Sequence, residues 1–296
     1  MPARPARTMP PVSLKPMTLV LATAAFVIGL ASPAPAQTRR PAPVRKPTPA
    51  ARIEVARLGF VEGGIEIQQP GGAWTKGVEK QALAIGDRVR TLTGGTARLE
   101  FPWTAIAMSD ASEAVLEQGR VLTLRLESGR IDLDPEQTLL RVVTGEAAIS
   151  GSGRTLIRRE GGTTFVASYS GGADVEAEGV SVRLGIDKGT VVKAGAAPTE
   201  PQPLSPAPRV VAPSADPRYV NPGEPVRLVW TGIEAAYHLE VLSIDSDIPV
   251  MSLDLPTREY DLRLNWLGTF RWRVAGRTGA IESQASGEGL ICVVEK

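Results

Sequence analysis

The chain has 296 residues, and its 33 Lys and Arg against 32 Asp and Glu give a formal net charge of +1. That sum hides two opposed parts: residues 1–52 hold eight basic and no acidic side chains, so residues 53–296 carry 1 − 8 = −7, which argues against nucleic acid as the partner of the folded part. One His, His238, and one Cys, Cys292, remove most metal and nucleophile chemistry, since zinc sites and Ser/His or Cys/His catalysis need clusters of these residues.

At the N-terminus, Arg4, Arg7 and Lys15 precede an uncharged apolar run from Met17 to Ala31, followed by Ala34-Pro35-Ala36-Gln37. A basic region, a short apolar region and a small-x-small site make residues 1–36 a secretory signal peptide, with cleavage expected after Ala36. The 15 apolar residues fall short of the roughly 20 that a membrane-spanning helix needs. Residues 37–52 then form a Pro-rich tether with five positive charges and too little apolar surface to fold. The expected location is periplasmic, with membrane contact at most through an uncleaved N-terminal segment or this basic tether. A single Cys allows no internal disulfide, so stability must come from packing.

Of 25 prolines, eleven lie in residues 1–52 and nine in 198–225, so two Pro-rich stretches frame two foldable blocks, 53–197 and 217–296, with 198–216 as a linker. In the first block apolar residues alternate at Ile65 and Ile67; Ala97, Leu99 and Phe101; Leu122, Leu124 and Leu126; Ile131 and Leu133; and Val180, Val182 and Leu184. Period two predicts strands with one face inward. Turns are expected at Gly71-Gly72, Gly94-Gly95, Ser128-Gly129, Gly151-Ser152-Gly153, Gly161-Gly162 and Gly171-Gly172. No stretch from Ile53 to Gly195 has helical periodicity, so the block is expected to be a β-sandwich or a short β-solenoid.

The second block alternates at Val226, Leu228 and Trp230; Tyr237, Leu239 and Val241; Tyr260, Leu262 and Leu264; Phe270, Trp272 and Val274; and Ile291 and Val293. Five short strands predict a small antiparallel sandwich of immunoglobulin or fibronectin type III kind, with Trp230 and Trp272 in its core. The chain as a whole reads as all-β.

The first block also carries a family resemblance. Leu83 to Thr91 (LAIGDRVRT), then Gly95 to Phe101 (GTARLEF), resembles the FecR domain pattern, in which an L-x-x-G-D-x-v-x-T turn leads into a g-x-A-x-L-x-f strand. Gly64 to Ile67 with Trp74 resembles the family's opening strand, Leu126 to Ile131 (LESGRI) its L-x-x-G-x-i strand pair, Gly162 to Val166 (GTTFV) its G-T-x-F-x-V strand, and Val175 to Val182 (VEAEGVSV) its V-x-x-G-x-V-x-V hairpin. Within the motif, Gly86 suits a positive φ and Asp87 caps its own turn.

FecR proteins are inner-membrane regulators whose periplasmic domain receives a signal from an outer-membrane transporter and passes it to an extracytoplasmic-function sigma factor. They carry a cytoplasmic helical segment before the membrane span, and the 16 residues that precede the apolar run here are too few and too Pro-rich for it. The resemblance therefore implies the fold and a periplasmic interaction role, with an inner-membrane-anchored regulator of a sigma-factor system as the alternative. Its motif consists of turns and strands, so it assigns no functional residue. The second block resembles the fibronectin-type or immunoglobulin-like domain that follows FecR domains in many exported proteins.

Residues that could carry chemistry have plainer readings. His238, between Tyr237 and Leu239, is expected to face outward into solvent, and Cys292 to be a small buried hydrophobe. Asp132, Asp134 and Glu136, and likewise Asp245 and Asp247, lack the Gly and terminal Glu of a calcium loop and read as solvated turn carboxylates. The Asp132 and Asp134 pair could serve glycoside hydrolysis only across a cleft. Gly151 to Thr155 lacks the Gly-Lys-Ser/Thr ending of a phosphate loop and reads as a hairpin. Trp266, grouped with Tyr260, Phe270 and Trp272, is expected in the core, with an exposed stacking platform as the alternative. No catalytic, cofactor-binding or metal-binding residue is assigned. The expected function is non-enzymatic, an interaction module for another envelope protein or a cell-wall polymer.

Overall fold

The computed structural model describes residues 52–134, 140–245, 249–279 and 281–295, all within one compact unit. Every regular element among them is a strand, so the chain is all-β as the alternation predicts. The signal segment, nearly all of the tether, Glu136 and Asp247 lie outside the described residues.

A single 16-stranded sheet runs from Glu54–Glu62 to Gln202–Pro203. Its spine is the long hairpin of Thr104–Glu117 with Leu122–Asp134. Along it Ile106, Met108, Leu124, Leu126, Ile131 and Leu133 are buried at alternate positions, and they join Leu58, Ile65, Leu99 and Val166 in one core. Arg88–Thr91 and Thr96–Phe101 extend the sheet from one side of the hairpin, and Leu140–Val143 and Thr155–Glu160 from the other.

The hairpin is bulged. Its register shifts between Ser109 and Glu113, with Ala111 at φ 51° and Gly129 at φ 89°. The Arg130 N–H donates to Ser112 Oγ at 2.7 Å, and the Ser112 N–H donates to Thr91 Oγ1 at 2.9 Å. Gly129, expected in a turn, is thus the kink inside a continuous strand, because the Ser112 backbone crosses where a side chain would stand. The loop from Gly151 to Gly153 is also no hairpin: Ala148–Gly151 pairs with Ala173–Ala177, whereas Thr155–Glu160 pairs with Leu122–Asp134. Glycine marks where a strand ends, and it leaves the next partner open. The expected turns at Gly71, Gly94, Gly161 and Gly171 do have positive φ. Asp87 accepts the Ala84 N–H at 2.9 Å beside Gly86 and pairs with Arg52.

Farther along the chain, a three-stranded sheet (Arg209–Ala212, Pro225–Thr231, Glu259–Arg263) shares a core with a six-stranded one built on Ala236–Ser243 and Gly268–Thr278. Trp230 packs edge-on to Tyr237, ring centroids 5.7 Å apart, and lies 6.1 Å from Trp272, so both indoles are core pieces as expected. All five expected strands form. Arg218–Val220, Pro249–Leu255 and Ile281–Ala285 are additional, and the last two carry polar residues at buried positions that hide the alternation.

The Pro-rich segment 198–216 is stitched to both halves. Gln202–Pro203 pairs with Lys188–Lys193, and Arg209–Ala212 pairs with Pro225–Thr231. Proline lacks the donor for a central strand, and both segments sit at sheet edges, where it is tolerated.

A Cβ at Gly129 would stand 2.4 Å from Ser112 Cα, whereas one at Gly94 would meet nothing within 4 Å. Gly129→Ala is therefore expected to cost at least about 1–3 kcal/mol and Gly94→Ala about 1 kcal/mol. Urea unfolding of the two variants measures the difference.

Candidate functional site

On strand Ala236–Ser243, Tyr237, Leu239 and Val241 enter the sandwich core, so His238 and Glu240 take the opposite face. That face is covered. His238 is 1% exposed, which corrects the expectation of a solvated imidazole: period two turned it away from its own core, and the 16-stranded sheet then closed over it. His238 Nδ1 lies 2.8 Å from Asp254 Oδ1, directly opposite on the neighbouring strand, and Nε2 lies 3.0 Å from Ser252 Oγ and 3.7 Å from Glu240 Oε1.

From the other side of the seam comes Arg130, set by the Gly129 bulge. Its Nη1 is 3.0 Å from Glu282 Oε2 and its Nη2 is 3.4 Å from Glu240 Oε1. Arg158 adds contacts of 3.0 Å to Asp254 and 3.5 Å to Glu282, Arg273 holds Glu240 at 2.7 Å, and Arg277 pairs with Asp254. The Tyr169 hydroxyl donates to the Glu282 carbonyl at 3.4 Å, and Gln284 reaches Asp187 across the same joint.

Burial works against ionising Glu240, but Arg273, Arg130 and His238 outweigh it and hold the carboxyl well below the usual carboxylate range. Asp254 is likewise lowered, burial being overcome by the His238 hydrogen bond and then by His238, Arg158 and Arg277 charge. Burial also opposes the Arg130 charge, and Glu282, Glu240 and Asp132 raise its pKa above the ordinary value nonetheless. Tyr169 is raised chiefly by burial, then by the Glu282 charge.

A cleft of about 640 Å³ opens off this seam. Arg98, Glu100 and Trp103 form one wall, Asp132 with Arg154 another, and the seam residues Arg130, Glu240 and Arg273 reach its surface. Asp132, expected as a solvated turn carboxylate, stands in a strand and binds Arg154 at 2.9 Å (Nη2 to Oδ2). A second depression, of about 490 Å³, is lined by Tyr219, Leu267, Thr269 and Cys292. Trp266, next to Leu267, is 52% exposed, which corrects the expectation of a core position: Trp230, Tyr237 and Trp272 already fill the interior. Cys292 is buried, with Sγ 3.6 Å from Thr269 Oγ1.

Asp245 is exposed. Among the described residues no group of three or more His, Cys, Asp or Glu is placed to hold a metal ion. The residues that sequence reasoning passed over are Arg130, Arg158, Asp254 and Glu282. They stand on strand faces turned away from the apolar residues beside them, such as Ile131, Ile157 and Leu253, where period two expects polar side chains, so their charge gave no local sign of burial.

No protein-family model matches the chain, and no curated protein matches it. Among solved structures, two crystal structures of a candidate anti-sigma factor from Parabacteroides distasonis ATCC 8503 align at 12% identity and a TM-score of 0.35, over 39% of this chain and 59% of theirs. The chicken CNTN1 FN1–FN3 domains align at 9% identity and a TM-score of 0.26, over 82% of this chain and 99% of that one. The all-β description rests on the strands themselves.

Removing one partner of a buried ion pair strands the other. Glu282→Ala leaves Arg130 and Arg158 short of a carboxylate and is expected to cost about 3–5 kcal/mol in thermal unfolding. Because Glu240 and Asp254 are lowered in the folded chain, the unfolded chain takes up protons first as the pH falls. Their contribution is full above the ordinary carboxylate range near pH ~4 and is lost below it. Melting temperatures should change little between pH 7 and 5 and drop toward pH 3, with a shallower drop in Glu240→Gln.

Proposed function

We propose that this chain is a non-enzymatic FecR-domain protein of the cell envelope, exported by cleavage after Ala36, whose two β-bodies form a rigid binding module for another envelope protein or polymer. One observation carries the reading. The charged groups that converge are spent on one another inside the seam, while Trp103, Trp266, Leu267 and Tyr219 stand exposed outside it. Aromatic side chains in such positions supply contact area at low entropic cost and are enriched where proteins bind partners.

The likeness of the Leu83 to Phe101 motif to FecR domains supports an interaction role. The alternative within that family, an inner-membrane-anchored regulator of a sigma-factor system, differs at the N-terminus.

Two measurements test the reading together. Intact mass spectrometry of the exported protein should give a chain beginning at Gln37; retention of Met17 to Ala31 in the inner membrane would transfer the protein to the regulator reading. Affinity capture from periplasm, with mass-spectrometric identification of what is retained, should recover a reproducible envelope component. Trp266→Ser with Leu267→Ser should reduce capture if the partner sits on that patch, with stability changed by no more than about 0.5 kcal/mol per exposed site.

A further inference from the structure

The cleft beside the seam carries more than a generic surface. Its lip is the two-residue tip Pro102-Trp103 between paired Phe101 and Thr104, which presents an indole 46% exposed on a rigid hairpin. Behind it, Arg98 and Glu100 occupy alternate positions of strand Thr96–Phe101. Arg98 is nearly idle: its closest carboxylate is Glu100 at 3.8 Å, and its side chain is 39% exposed. On the facing wall the Arg154 guanidinium is held flat by Asp132, Nη2 to Oδ2 at 2.9 Å and Nε to Oδ1 at 3.4 Å. The seam residues Arg130, Glu240 and Arg273 are fixed by one another.

The lining counts four guanidinium groups against three carboxylates, and Glu282 behind Arg130 balances the sum, so Arg98 is the lining cation without a close carboxylate and the walls are rich in N–H donors. Its volume of about 640 Å³ and its place between two domains suit a ligand site. An apolar ligand finds little to cover in walls so rich in charge. Nucleic acid needs a row of cations for successive phosphates, and the cleft offers one guanidinium without a close carboxylate. A neutral saccharide would use the indole and leave Arg98 without an acceptor. A pyranose ring that also bears a carboxylate uses all of it: its C–H face packs on Trp103, its carboxylate meets the Arg98 guanidinium, and its hydroxyls bond the Asp132 and Arg154 pair.

From this geometry we infer that the cleft binds a carboxylate-bearing saccharide, such as a uronic-acid unit of an envelope polymer. The inference rests on the binding-module reading and names its ligand class.

Calorimetric titration of the full exported chain tests it, with tetragalacturonate as the probe, maltotetraose as the neutral control and tetraglutamate as the acidic-peptide control. Wild type should bind tetragalacturonate saturably and at least tenfold more tightly than either control. Trp103→Ala and Arg98→Ala, both outside the seam and checked for unchanged melting, should each weaken it at least tenfold. The inference is overturned if wild type shows no saturable binding, if maltotetraose or tetraglutamate binds as well, or if both variants bind like wild type. Capture of an envelope protein from periplasm alongside such a result would sink the saccharide assignment alone. Failure of both experiments would remove the binding-module reading as well.

Discussion

A guanidinium taken out of water must find a carboxylate, and for Arg130 that carboxylate is supplied by Glu282 and Glu240, more than 100 residues farther along the chain. This requirement fixes the relation between the two β-bodies. The buried apolar side chains form two separate clusters, one in the 16-stranded sheet and one between the two smaller sheets. What joins them is a polar layer in which Arg130 and Arg158 of one body meet Glu240, Asp254 and Glu282 of the other. Ion pairs of this kind add little net stability compared with an apolar contact of the same size, since desolvation consumes most of the Coulomb gain. They penalise misalignment strongly, because a slipped joint leaves a buried charge alone. Two domains joined by a proline-rich segment would otherwise be free to swing. Here the segment is itself paired at both ends, and the seam supplies the remaining constraint.

The cleft inherits its shape from that constraint. Arg130, Glu240 and Arg273 belong to the seam and also line the cleft, so the positions of its charges are set by folding before any ligand arrives. Trp103 and Arg98, in contrast, are left over after the structural pairing is complete. The division of labour is a chemical one: the charges that stabilise the joint lie against opposite charges, and Trp103 and Arg98 at the opening have no such close partner. The Trp266 and Leu267 patch lies on a separate loop of the second body and shares no residue with the cleft lining.

Much of the fold was legible because a strand with one face in a core writes an apolar residue at every second position. The inner faces at Leu122 to Leu126, at Val226 to Trp230 and at Phe270 to Val274 were visible for that reason. Period two is silent about the second face. His238 was correctly turned away from its own core, and nothing nearby could show that a different part of the chain would cover it. The same silence hid Ile281–Ala285, whose buried Glu282 and Ser283 look like loop residues until Arg130 and Arg158 are placed beside them. Gly129 was visible as a conformational exception, but a turn and a bulge both use positive φ, and only the pairing of Ser112 with Arg130 separates them. Trp266 shows the converse. Apolar character predicts burial only while the interior has room, and two other indoles and Tyr237 had filled it.

The central claim is that Arg130 and Glu282 act as one energetic unit across the joint. A double-mutant cycle on urea unfolding tests it, using Arg130→Met, Glu282→Met and the pair. The account predicts strong coupling, with the double variant more stable than the sum of the single losses implies by about 1–3 kcal/mol, because removing both charges leaves no buried ion unpaired. Additivity within about 0.5 kcal/mol would show that the two side chains do not depend on each other and would contradict it.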